Sequence, residues 1–160
     1  MTAPAKSTEA SPALRSLVLD EMPSPDWADV VVERLPDGAP TDPEVWARAV
    51  FDIRSTPRVV IALMALRQLL VPLIGVTPGQ QSVFDVKRVS GEEAFMRADD
   101  RHLDFCAAVG VDAVRRTVRV TTAVQLHGWR GRVYFAPVSV LHDPITRSML
   151  KAAARRLTAA

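Results

Sequence analysis

From Ser82 to Leu126 apolar and polar residues alternate with period two, and from Gly131 to Leu157 the apolar spacing changes to three and four. The first pattern belongs to strands with one buried face, the second to a helix with one buried stripe. Turn residues divide the alternating stretch. A two-residue turn at Ser90 and Gly91 sets Val86 opposite Phe95 and Phe84 opposite Arg97. A turn over Asp99 to Arg101 then sets Phe95 opposite Phe105 and Arg97 opposite Leu103, and a turn at Ala113 and Val114 sets Leu103 opposite Val124 and Val109 opposite Val118. Because a one-residue slip sends every side chain to the other face, the agreement between turns predicts a four-stranded antiparallel meander. Its inner face is Phe84, Val86, Phe95, Leu103, Phe105, Ala107, Val109, Val118, Val120, Val124 and Leu126.

The helix that follows puts Tyr134, Val138, Leu141, Ile145, Met149 and Ala152 on one stripe. At 1.5 Å per residue it is roughly 40 Å long, enough to lie along a ten-residue strand of roughly 34 Å. Asp143 followed by Pro144 can cap and restart it, which predicts a kink or break there.

Upstream, Val30, Val31 and Val32 between Pro25 and the turn at Pro36, Asp37 and Gly38 predict a first strand over Trp27 to Leu35. Asp42 and Pro43 are a cap and first residue for a short helix through Phe51. Thr56 and Pro57 open a second helix, almost wholly apolar from Val59 to Ile74 and ended by Gly75 and Pro78, with Pro72 as a kink. The order is strand, two helices, meander, long helix. A sheet with one apolar face needs a cover, so the expected class is α+β: a curved antiparallel sheet packed on a long C-terminal helix, with two helices between the first and second strands.

Composition narrows this picture. The chain of 160 residues, 48% hydrophobic, suits one domain over residues 26–160 behind a flexible Ala-, Pro- and Ser-rich tail over residues 1–25. A net charge of +2, few aromatics and no basic run beyond Arg115–Arg116 and Arg155–Arg156 argue against nucleic acid as a partner. The Val59–Ile74 run is shorter than the roughly 20 residues a membrane span needs and carries Arg67 near its centre, so it reads as a helix buried against the sheet or at a subunit contact. One cysteine, Cys106, permits no intrachain disulfide and fits a reducing compartment. With no targeting segment evident, the cytoplasm is the expected location.

The stretch Asp99, Asp100, Arg101, His102, Leu103, Asp104, Phe105, together with Arg130 to Tyr134 and Leu141 to Leu150, resembles a bacterial family of unknown function similar to the START and polyketide-cyclase superfamily. The resemblance runs from about Trp27 to Leu157. It implies a helix-grip fold, in which the sheet wraps the C-terminal helix around an apolar cavity. Some members look fused to dinucleotide-binding reductase domains, which implies a reductase as a protein partner.

The candidate chemistry is sparse. Arg97, on the predicted inner face beside Phe84 and Leu103, can hold a carboxylate or phosphate head group at a cavity rim; its ordinary role is an ion pair or a snorkelling side chain. His142, flanking the helix stripe one turn from Val138 and Ile145, can act as acid, base or hydrogen-bond donor, or bond a carbonyl freed by Pro144. Phe95, Phe105 and Tyr134 would line the cavity. On the outer face Asp100 is set opposite His127, with His102 and Asp104 nearby; without HxH, HxxxH or CxxC spacing this predicts a polar surface and no metal. No Gly-rich phosphate loop or GxSxG elbow is present, and Cys106 lies in a strand with no helix N-terminus to activate it. No cofactor is expected. The leading expectation is binding of a small apolar or amphipathic molecule between meander and helix. The alternatives are a cyclase- or dehydratase-type enzyme using His142, for which the registers supply no inner carboxylate, and an interaction module whose Val59–Ile74 helix docks a second copy or a reductase.

Overall fold

The computed structural model describes residues 16–52, 85–99 and 103–159. Its elements are α1 (Leu17–Glu21), β1 (Trp27–Arg34), α2 (Pro43–Phe51), β2 (Arg88–Ser90), β3 (Glu93–Asp99), β4 (Leu103–Asp112), β5 (Thr117–Leu126) and α3 (Gly128–Thr158). All five strands form one antiparallel sheet in the order β1-β5-β4-β3-β2. The predicted meander is therefore present, and β1 completes it by pairing Val31 with Val120 at the edge beside β5.

Asp42 caps α2 by accepting from the Glu44 amide at 2.8 Å, with Pro43 in the first turn. One helix lies between β1 and β2 among the described residues; the second expected helix, Thr56 to Ile74, lies outside them. α2 and the C-terminal half of α3 pack on one face of the sheet. There Trp46, Val50, Met96, Val109, Val118 and Leu150 are at most 1% exposed, and Trp46 Nε1 donates to the Pro40 carbonyl at 2.7 Å. The stretch read as tail holds a second cover. α1, capped by Ser16, lays Val18 and Met22 over Phe95, Cys106, Ala108 and Ala123 on the outer face.

The registers explain which expectations hold. β4 pairs with β5 as Leu103↔Leu126 and Asp112↔Thr117, so the turn holds four residues where two were expected. An even change keeps the side chains on their faces, and Phe105, Ala107, Val109, Val118, Val120 and Val124 do face the helices. β2 likewise pairs Ser90 with Glu93 around Gly91 and Glu92, one residue later than expected. Between β3 and β4, however, Asp99 pairs with Asp104, which leaves four residues between them instead of three. That odd change turns β3 over. Ala94 and Met96 face the helix-side core, whereas Phe95 and Arg97 lie on the outer face, against their expected place.

α3 corrects two further expectations. It is one helix of 31 residues with Pro137 and Pro144 inside it, so of the expected kink or break at Asp143 the break does not occur. Each proline forgoes the bond to the carbonyl four residues back, which belongs to Val133 and Val140, both solvent-exposed. Its buried side is also turned by about one residue from the predicted stripe. Phe135, Thr146, Leu150 and Ala153 are buried, while Leu141 is 40% exposed. Ranking positions by hydrophobicity misses a buried face that carries a histidine and a threonine. No helix among the described residues is long and apolar enough to cross a membrane.

Candidate functional site

β1 alternates Trp27, Asp29, Val31 and Glu33 toward α3 with Ala28, Val30, Val32 and Arg34 away from it, as its exposure shows. The strand thus presents two carboxylates to a helix that carries a histidine and two cations at matching heights. Glu33 accepts from Arg147 at 2.8 Å and lies 3.8 Å from Lys151. Asp29, nearer the N-terminal end of α3, meets His142: Nδ1 is 2.9 Å from Asp29 Oδ2. An ionised carboxylate only accepts, so Nδ1–H is the donor and Nε2 of the neutral ring is left as an acceptor. The Trp27 indole packs edge-on against the His142 ring at 4.9 Å and against Phe135 at 5.1 Å. Both members of the pair are part-buried, at 17% and 22%. A carboxylate that fixes one imidazole nitrogen and leaves the other as acceptor is the arrangement of an oriented base or a ligand-binding hydrogen-bond partner.

Sequence reasoning found His142 and missed Asp29. The run Val30–Val32 hides the alternation of β1, and the parity of β1 becomes readable only once it is paired with β5, where Asp29 sits opposite the buried Thr122.

The other expected site residues divide between the faces. Phe105 is half-buried against the helix-side core, and Tyr134 is half-buried on α3. Phe95 lies beneath α1 with the Arg88 guanidinium 5.5 Å from its ring. Arg97 donates through Nε to both oxygens of Asp99, at 3.0 and 3.1 Å, and this bond holds its guanidinium above the ordinary arginine range. The five residues therefore form no single site: Arg97 and Phe95 are separated by the sheet from His142, Phe105 and Tyr134.

The outer face carries its own polar cluster. Glu93, Gly110 and Arg119 are consecutive cross-strand partners, and Arg119 reaches across the glycine to donate to Glu93 Oε1 at 3.0 Å. A Cβ on Gly110 would stand 2.8 Å from Arg119 Cζ, so the missing side chain makes the path. Glu93 Oε2 accepts from Ser16 Oγ at 3.1 Å and from the Leu17 amide at 2.7 Å, which ties α1 to the sheet. Arg119 Nε is buried without a partner among the described residues. A pocket of about 210 Å³, open to solvent, lies beside this cluster, with Asp20, Glu92, Glu93 and Arg119 in its lining. Cys106 is fully buried beneath α1, and burial pushes its thiol up from the ordinary range, away from nucleophilic use.

At the end of the sheet His127 Nε2 is 3.1 Å from Asp104; Asp100 and His102 lie outside the described residues. Among the described residues no three His, Cys, Asp or Glu side chains converge as a metal site would need.

A family model described as "Protein of unknown function (DUF2867)" matches residues 22–149. No curated protein and no solved structure matches the chain.

Proposed function

The chain belongs to this family of unknown function, and we propose that it binds a small apolar or amphipathic molecule between the sheet and the first half of α3, with His142 Nε2 meeting the ligand's polar end. The observation that carries the reading is the His142–Asp29 pair, set at 2.9 Å beside Trp27 and Phe135. Half-buried Leu103, Phe105 and Leu126 on the helix side of the sheet, with Tyr134 on α3, supply apolar lining. The resemblance to the START and polyketide-cyclase superfamily supports the same reading, since an antiparallel sheet followed by a long C-terminal helix is the arrangement it implies. Native mass spectrometry of the protein from its own cells, followed by denaturing release, tests it. A stoichiometric apolar molecule is expected, and His142→Ala should weaken its binding about tenfold by loss of one hydrogen bond. A protein that emerges empty and takes up no fatty acid or aromatic polyketide in titration refutes the reading.

Asp29 favours a second reading, an acid–base enzyme of the cyclase or dehydratase type. In it Asp29 orients the ring and Nε2 takes the proton. Asp29→Asn separates the two, because it should abolish turnover if the pair is catalytic, whereas the binding reading expects only a weakened affinity as the ring loses its fixed tautomer.

A further inference from the structure

The first half of α3 has a face that no described residue covers. Trp129 is 67% exposed, Val133 59% and Val140 77%, with Ala136 and Pro137 exposed among them. At 100° per residue Trp129, Val133, Ala136 and Val140 fall within a narrow arc, a stripe about 17 Å long. It ends at Asp143 and Arg147, which pair with each other at 2.9 Å.

Up to Asp143 the helix's own charges beside the stripe are all positive. Arg130 and Arg132 stand exposed on its two flanks, and residues 128–142 contain no Asp or Glu. Arg147 further along is held by Glu33 and Asp143, whereas Arg130 rests over the Trp129 ring at 5.5 Å. The helix starts without an acidic residue or a side-chain cap, so its N-terminal dipole adds to the positive field. From this geometry we infer that the Trp129–Val140 face of α3 docks on an anionic lipid surface. The stripe is a convex helix face with tryptophan at the boundary between apolar and cationic side chains, the arrangement of a helix lying in a membrane interface. A second copy packed stripe to stripe would offer the two arginines only Asp143 at the stripe's end, which Arg147 already holds. The inference stands on residues other than His142 and Asp29 and survives or fails independently of ligand binding.

Sedimentation with vesicles tests it, using phosphatidylcholine alone and phosphatidylcholine with one-third phosphatidylglycerol. The protein pellets with the anionic vesicles, not with the neutral ones, and less as salt rises. Arg130→Gln and Arg132→Gln each weaken binding roughly fivefold, and Val133→Ser with Val140→Ser removes it at unchanged circular dichroism. Of the three tryptophans Trp46 is fully buried and Trp27 half-buried, so a blue shift of emission on binding belongs to Trp129 and is lost in Trp129→Phe. Absence of binding to anionic vesicles overturns the proposal, as does binding indifferent to these substitutions. Self-association without lipid that Trp129→Ser abolishes also overturns it, and assigns the face to a second copy.

Discussion

The two faces of the sheet are covered by different physics. On the helix side α2 and α3 bury Trp46, Val50, Met96, Val109 and Leu150, and polar contacts such as Arg156–Asp52 lie at the margins. On the outer side a five-residue helix covers a smaller apolar patch, and its attachment runs through a buried carboxylate that accepts from Ser16, Leu17 and Arg119. Apolar burial is non-directional and spread over many residues. A buried ion pair concentrates the holding force on one group, whose loss leaves its partner uncompensated. The helix side should therefore govern global stability, and the outer side should open locally.

The largest effect is expected from Trp46→Ala. This side chain is fully buried and its indole N–H is satisfied by Pro40, so truncation should cost about 4 kcal/mol, seen as a lowered urea midpoint with all probes moving together. A loss below about 1 kcal/mol would mean that the helix side is not the main core.

Glu93→Ala comes next, at about 3 kcal/mol for stranding Arg119. Its signature differs from that of the tryptophan variant. Releasing α1 uncovers Cys106, the single cysteine, so thiol labelling should accelerate at denaturant concentrations where far-ultraviolet circular dichroism is still native. Gly110→Ala, which pushes on Arg119 from below, should do the same more weakly. Unchanged labelling in Glu93→Ala would show that Val18 and Met22 hold α1 by burial alone.

The same contrast decides what could be read in the sequence. Apolar periodicity reports a wide, continuous face, and β4 and β5 accordingly have the faces that their alternation predicts, although their turn is two residues longer than expected. It cannot count loop residues. One extra residue between β3 and β4 moved Arg97 and Phe95 to the outer face, because Ala94, Met96 and Ala98 are as apolar as the alternating set that included Phe95. Where a buried position is polar, periodicity points to the wrong residues, as on α3, where His142 and Thr146 turn inward and Leu141 outward. Asp29 was hidden by three consecutive valines, and the role of Glu93 depends on a partner 26 residues away that reaches it only across a glycine. Long-range polar pairs of this kind leave no local signal, so the candidate site was half legible, through His142 alone.

The smallest expected effect concerns pH. Asp112, on the outer face at the β4–β5 turn, accepts from the Arg115 amide at 2.7 Å and from its guanidinium at 2.8 Å, and these bonds, the amide first, hold its carboxyl below the ordinary carboxylate range. A carboxyl lowered in the folded state adds stability that is complete above its unfolded value of about 3.9 and is lost as pH falls through the lower folded value. Asp112→Asn keeps an oxygen for the Arg115 amide and removes the charge. Thermal midpoints followed from neutral pH into acid should therefore separate wild type from variant most above pH of about 4 and converge below it. Because no carboxylate among the described residues is buried on the helix side, Trp46→Ala should lower the midpoint by a similar amount at every pH. Parallel curves for wild type and Asp112→Asn would show that the turn is held by its backbone geometry and that the outer face owes less to charge than its hydrogen bonds suggest.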